Sequence, residues 1–65
     1  MTRVEQHKII IGLEEYAHKM KGRDAEEFDM MRKRDRDDEE LDMLSRRKLL
    51  ELYQTYVPER YQEYP

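Results

Sequence analysis

The densest apolar pattern in the chain lies near its C-terminus. The apolar residues of this stretch recur at the spacing of a helix with one buried face, as Leu49, Leu52, Tyr53 and Tyr56. Ser45 precedes the stripe as a candidate N-cap, and Leu44 and Leu49 occupy the positions of a hydrophobic staple. Pro58 ends the pattern, because proline disfavours the α conformation in the residue before it. We therefore predict a helix over residues 46–57.

A second helical pattern occupies the N-terminal third of the chain. Thr2 and Glu5 have the spacing of a capping box, in which each side chain bonds the other residue's backbone N–H. Gly12 is the only helix-weakening residue that follows, at a cost of about 1 kcal/mol relative to alanine. Winding the segment as an α-helix gathers its apolar side chains on one broad face: Ile9, Ile10, Leu13, Tyr16, Ala17 and Met20. This pattern predicts a helix over residues 3–21.

A short connection separates this helix from the next. Gly22 is suited to close the first helix in the left-handed conformation, and Asp24 is suited to cap the second. So short a connection places two helices side by side as an antiparallel hairpin. We expect Phe28 and Met31 on the second helix to face the first.

Residues 32–40 are all charged, and two interpretations of this run are open. In one, the second helix continues through the run as a solvated rod, supported by opposite charges four residues apart. In the other, the helix breaks and restarts with a capping box at Asp37. We expect the continuous helix, over residues 25–44, with a bend at Ser45. Its two supporting pairs would be Arg34 with Asp38 and Arg36 with Glu40.

The predicted fold is all-α. A helical hairpin, residues about 3–21 and 25–44, carries a short third helix, about 46–57, laid back across it. We expect one small three-helix domain spanning residues 1–65, in which residues 58–65 form a partly ordered tail.

Composition limits what so small a domain does alone. Hydrophobic residues make up 37% of the chain and charged residues 45%, so its core is thin. Small domains usually add a disulfide, a metal or a partner, and the absence of cysteine excludes the disulfide and a thiolate zinc site. We therefore expect a protein partner or a homodimer. Without a membrane-length apolar run or a secretory signal, no membrane contact and a cytoplasmic location are expected.

Two histidine patterns are the candidates for site chemistry. Glu15 and His18 have the E-x-x-H spacing of ferritin-like di-iron bundles, but the helical wheel places both opposite Leu13, toward solvent. His7 and His18 share a helix face with Ile11, either as a pH-sensitive contact surface or as two surface histidines. The chain has no Gly-rich phosphate loop and no convergent acid–base cluster. We predict no enzyme activity, metal, cofactor or small-molecule substrate.

Basic residues at the start of the third helix are the main alternative to a protein-binding role. Arg46, Arg47 and Lys48 have the density of a nucleic-acid contact, although acids lie close by in the sequence. The leading prediction is a non-enzymatic helical protein–protein interaction module, an adaptor or regulator that acts through helix packing. The alternative is a small nucleic-acid-binding regulator that uses this basic triplet.

The candidate contact residues come from several elements. Val4 and Ile11 lie opposite the buried face of the first helix, and self-association is expected to bury either them or Ile9 and Ile10. The partner-binding residues predicted from the whole chain are Val4, Ile11, Met43, Arg46, Arg47, Lys48, Tyr61 and Tyr64. The methionines, with Tyr53 and Tyr56, would fill the core or line an adaptable groove.

Overall fold

The computed structural model describes residues 1–62, which form three α-helices that each pack against the other two. The helices are α1 (Arg3–Glu14), α2 (Arg23–Arg36) and α3 (Met43–Tyr56), and 3₁₀ turns occupy Ala17–Lys19 and Glu59–Tyr61. Residues 1–62 contain no strand. The predicted all-α three-helix architecture is confirmed. No helix in this part of the chain has the length and apolarity to cross a membrane.

The start of α1 is as predicted, but its end is not. The Thr2 hydroxyl accepts from the Glu5 amide at 3.1 Å, and the Glu5 carboxylate accepts from the Thr2 amide at 3.0 Å, which completes the capping box. The helix ends at Glu14 and not at residue 21. Beyond it, the Ala17–Lys19 turn bonds to carbonyls three residues back, and this tighter winding directs Met20 into the core.

Gly22 has the predicted positive φ, 57°, but it starts α2 and does not close α1. Glycine adopts this conformation without the clash that a Cβ would cause. The prediction that Asp24 caps α2 is wrong. The helix begins at Arg23, so Gly22 is the N-cap residue and Asp24 lies in the first turn. The Asp24 carboxylate instead accepts hydrogen bonds from α3, at 2.7 Å from Tyr56 and 3.1 Å from Lys48.

The continuous helix predicted through the charged run is wrong. α2 ends at Arg36, and Asp38 takes the left-handed conformation at φ 60°. A restart at Asp37 is also wrong, since α3 begins at Met43. Two amides bond back to the last turn of α2 in a Schellman motif, which satisfies carbonyls that the helix leaves free: Glu39 N to Arg34 O and Asp38 N to Asp35 O.

The N-cap of α3 also differs from the prediction. Asp42 accepts a hydrogen bond from the Ser45 amide at 2.7 Å, so Ser45 is the third residue of the helix and not its cap. Leu44 is 76% exposed, and the predicted hydrophobic staple does not form. An aspartate is as good a cap as a serine, and it lies three residues earlier. The predicted stop before Pro58 is confirmed.

All three helices and the α2–α3 loop (residues 37–42) contribute to one core. Its buried side chains are Ile9, Ile10, Leu13, Met20, Phe28, Met31, Leu41, Leu49, Leu52, Tyr53 and Val57. The expectation that Ile9 and Ile10 form an intermolecular contact is therefore wrong. The methionines divide, because Met20 and Met31 lie in the core while Met30 and Met43 are exposed.

Candidate functional site

Gln6 is a polar side chain at the centre of the fold, with no exposed surface. Its amide nitrogen donates to Asp35 Oδ1 at 3.0 Å and to the Glu39 carbonyl at 3.2 Å. Its amide oxygen accepts from the Leu41 backbone N–H at 3.0 Å. One side chain of α1 therefore holds both the end of α2 and the α2–α3 loop.

Asp35 is the second buried polar residue and completes this link. His7 Nδ1 bonds its other carboxylate oxygen, and the Arg3 guanidinium lies 4.0 Å from the carboxylate. Arg3 also donates to the Glu39 carbonyl and to Asp38. His7 is thus tied to the loop, while His18 lies exposed in the 3₁₀ turn, so the two histidines do not act as a pair.

The sequence interpretation missed this link, although a signal for it is present. Gln6 is in helical phase with Ile9 and Leu13, and Asp35 is in phase with Phe28 and Met31. A polar residue in the middle of an apolar stripe is buried with its neighbours and needs a hydrogen-bond partner there.

An open groove of about 700 Å³ runs between α1 and α3. Ile11 is 49% exposed and Tyr61 is 58% exposed, and these two predicted contact residues, 50 positions apart in the sequence, both line this groove. Tyr16, Tyr53 and Val57 also line it. The groove combines exposed apolar side chains with a wall that belongs to the folded core.

Charged side chains flank Ile11 on both sides. Val4, Lys8 and Ile11 follow one another along the outer side of α1 at helical spacing, Glu15, the C-cap residue of α1, continues the line, and all four are exposed. Lys8 and Glu15 line the same groove, and neither forms a salt bridge within residues 1–62. We call these four residues the α1 stripe. Its charges remain available to an external partner.

A smaller groove, of about 270 Å³, lies between α2 and α3. Met30 and Leu44 are exposed along it, and Met43, the residue before Leu44, is exposed as well. Two ion pairs line the groove: Arg34 of α2 with Asp42, the N-cap residue of α3, at 3.6 Å, and Lys48 of α3 with Glu27 of α2 at 3.7 Å. The charges around this groove are therefore satisfied within the chain.

The basic triplet is not a segregated positive surface. Arg46 lies 3.4 Å from Glu40, and Lys48 lies 3.1 Å from Asp24, so two of the three bases are paired with acids. Arg47 is exposed. A phosphate-binding face gains its affinity from unpaired positive charge, which this arrangement reduces.

Asp24 is the centre of a polar contact between α2 and α3. The hydrogen bond from the Tyr56 hydroxyl, together with that from Lys48, lowers the pKa of the Asp24 carboxyl below its ordinary value. The same hydrogen bonds raise the pKa of the Tyr56 hydroxyl and of the Lys48 ammonium. These shifts follow from mutual stabilisation of the charged and hydrogen-bonded forms.

The E-x-x-H residues do not form a metal site. Glu15 and His18 are both exposed, and no group of three histidine, aspartate or glutamate side chains within residues 1–62 is arranged to hold a metal ion. Tyr64, the last predicted contact residue, lies outside the described residues.

No protein-family model, curated protein or solved structure matches this chain.

Proposed function

We propose that this protein is a small non-enzymatic interaction module that binds an amphipathic helix of a protein partner against the α1 stripe. The observation that carries the proposal is the half-exposed Ile11 in a groove whose other side carries Tyr61. Exposed apolar side chains beside a concave surface are typical of sites that receive a partner's apolar anchors.

The charges of the stripe define what the partner helix carries. Lys8 and Glu15 lie on either side of Ile11 and have no ion-pair partner within residues 1–62. A matching helix places an apolar residue against Ile11, an acid against Lys8 and a base against Glu15. Such complementarity sets orientation and specificity more than affinity. The nucleic-acid alternative has less support, because Arg46 and Lys48 already pair with acids.

The proposal is tested with labelled synthetic helical peptides and fluorescence anisotropy. Two peptides carry a leucine between a lysine and a glutamate at the spacing of the stripe, one in each charge order, and a control peptide has aspartate in place of the leucine. We expect one charge order to bind the wild-type protein and to lose binding to Ile11→Asp. The exposed Leu44→Asp variant, in the α2–α3 groove, is the matched control and should bind normally.

Circular dichroism separates loss of the site from loss of the fold, because Ile11→Asp should leave the helix content unchanged. If neither peptide binds better than the control peptide, or if binding survives Ile11→Asp, the assignment of the α1 stripe is wrong.

A further inference from the structure

We infer that the helix that fits the α1 stripe is α1 of a second copy of this chain, running antiparallel, with the two-fold axis between Ile11 and Gly12. The inference rests on the proposed function and names its partner. It follows from the symmetric arrangement of the charges of the stripe. Binding to an unrelated partner does not require such symmetry.

The charges of the stripe are self-complementary in one orientation only. Lys8 and Glu15 are equally far from the midpoint between Ile11 and Gly12, each about 5 Å along the helix axis. When two α1 helices run antiparallel about this midpoint, each Lys8 faces Glu15 of the second copy, and two ion pairs form. A parallel pair in the same register would place lysine against lysine and glutamate against glutamate. The charge pattern therefore selects the antiparallel dimer.

Gly12 supplies an independent observation. An ideal Cβ at this position would lie 3.9 Å from Tyr53 Cε1, which is an ordinary contact, and the residue does not have a positive φ. Neither the packing nor the backbone of the chain thus requires glycine there, although glycine costs about 1 kcal/mol relative to alanine within a helix. Gly12 lines the groove next to Ile11, so the missing side chain leaves room beside Tyr53 for an apolar side chain of the second copy.

The α2–α3 groove lacks these features. Its exposed Met30 and Leu44 are apolar enough to contact a partner, but the ion pairs that line this groove are formed within the chain. Those charges are already satisfied and do not orient a second copy. The α1 stripe is the surface on which the unpaired charges, the exposed apolar side chain and the unexplained glycine coincide.

The expected dimer is weak. A stable interface buries about 800 Å² on each partner, and one stripe of a short helix offers less than that. We therefore expect a dissociation constant in the micromolar range, up to about 1 mM. Because such a dimer dissociates readily, the α1 stripe of each copy can also bind a helix of another protein that has the same charge pattern.

Sedimentation equilibrium with charge-reversed variants tests the inference. Lys8→Glu alone, or Glu15→Lys alone, turns both ion pairs into repulsions, and each should weaken self-association on the order of tenfold at low salt. An equimolar mixture of the two variants restores opposite charges at both positions, so association should return. A chain that carries both substitutions should also self-associate. Glu15→Lys places a base at the C-terminal end of α1, which the helix dipole favours. Lys8→Glu places an acid three residues from Glu5, so circular dichroism must show that both variants keep the helix content of the wild type.

Three results would overturn the inference. The first is a wild-type chain that shows no dimer at about 1 mM, the upper limit of the expected dissociation constant, where about half of the chains should be dimeric. The second is a dimer that survives Ile11→Asp and dissociates on Leu44→Asp, which would move the interface to the α2–α3 groove. The third is a dimer lost in both single variants and not recovered in their mixture. If a peptide binds in an Ile11-dependent way while the chain remains monomeric, the proposed function stands and only the second copy is excluded.

Discussion

Replacement of Gln6 by alanine is the sharpest test of how this fold is held together. The side chain is fully buried and makes three hydrogen bonds, two to backbone groups of the α2–α3 loop and one to the Asp35 carboxylate. Neutral hydrogen bonds contribute about 1 kcal/mol each and a bond to a charged group about 1.5–3 kcal/mol, so the sum is about 3.5–5 kcal/mol. The substitution also leaves the Leu41 amide buried without its partner.

This loss is as large as the stability expected for the whole domain. A single core in a chain of this length supplies about 3–5 kcal/mol. Gln6→Ala is therefore expected to be largely unfolded at 25 °C without denaturant. Gln54→Ala is the matched control, because it makes the same chemical change at an exposed position of α3. Its effect on the free energy of unfolding should stay within about 0.5 kcal/mol.

The assay is urea unfolding followed by far-ultraviolet circular dichroism, at a protein concentration where the chain is monomeric. Gln6→Leu separates hydrogen bonding from packing, because leucine fills much of the same volume and cannot bond the loop. We expect it to lose nearly as much stability as the alanine variant. If the free energy of unfolding of Gln6→Leu is within about 1 kcal/mol of the wild-type value, the buried hydrogen bonds do not contribute the stability assigned to them.

Three further predictions concern single positions. Gly12→Ala should raise the free energy of unfolding of the monomer by about 0.5–1 kcal/mol and weaken self-association, as urea unfolding and sedimentation would show. Because the pKa of Asp24 is lowered from 3.8, chiefly by the Tyr56 hydrogen bond, its stabilisation is present above that pH and lost as the pH falls through the folded-state pKa. Asp24→Asn should therefore flatten the acid decline of the melting temperature; an unchanged decline would contradict this. Asp38→Val should cost about 1–2 kcal/mol because a β-branched residue resists positive φ, whereas Asp37→Val, at φ −84°, should cost less in the same melts.

The buried faces of the helices could be predicted from the sequence because they depend on local periodicity. Every residue assigned to the inner face of α1 is buried or partly buried, including Met20, although the helix ends at Glu14. A 3₁₀ turn keeps nearly the same side facing the core, so the pattern of burial survives the change of winding. No residue pattern in the sequence indicated that α1 ends at Glu14.

The end of α2 could not be predicted because a distant residue determines it. Within the charged run, ion pairs four residues apart favour a continuous helix by only a few tenths of a kcal/mol each. Gln6 bonds the Glu39 carbonyl and the Leu41 amide, more than 30 residues later in the chain, at about 1 kcal/mol each. Burial of Leu41 in the core also favours the loop over a continuous helix. The contacts of the loop therefore outweigh the local preference for helix.

The candidate contact surface was predictable in part. Ile11 was identified because it lies opposite the inner face of α1, and it is exposed as expected. The presence of Ile11 and Tyr61 in one groove depends on how α3 and the following turn fold back, which local pattern does not encode. The partners of Arg46 and Lys48 were missed for the same reason, since Glu40 and Asp24 are brought to them by the packing of α2 against α3.

Two residues with opposite effects on the stability of the domain both lie in α1. Its inner side carries Gln6, whose hydrogen bonds supply a free energy comparable to that of the whole domain. Gly12 lines the groove between α1 and α3, where it lowers helix stability although alanine would fit without a clash. In a domain with so small a margin, such a loss is tolerated where the position serves binding. The inner side of α1 therefore fixes the fold, and its groove side, beside the α1 stripe, is where we propose that a partner binds at a cost in helix stability.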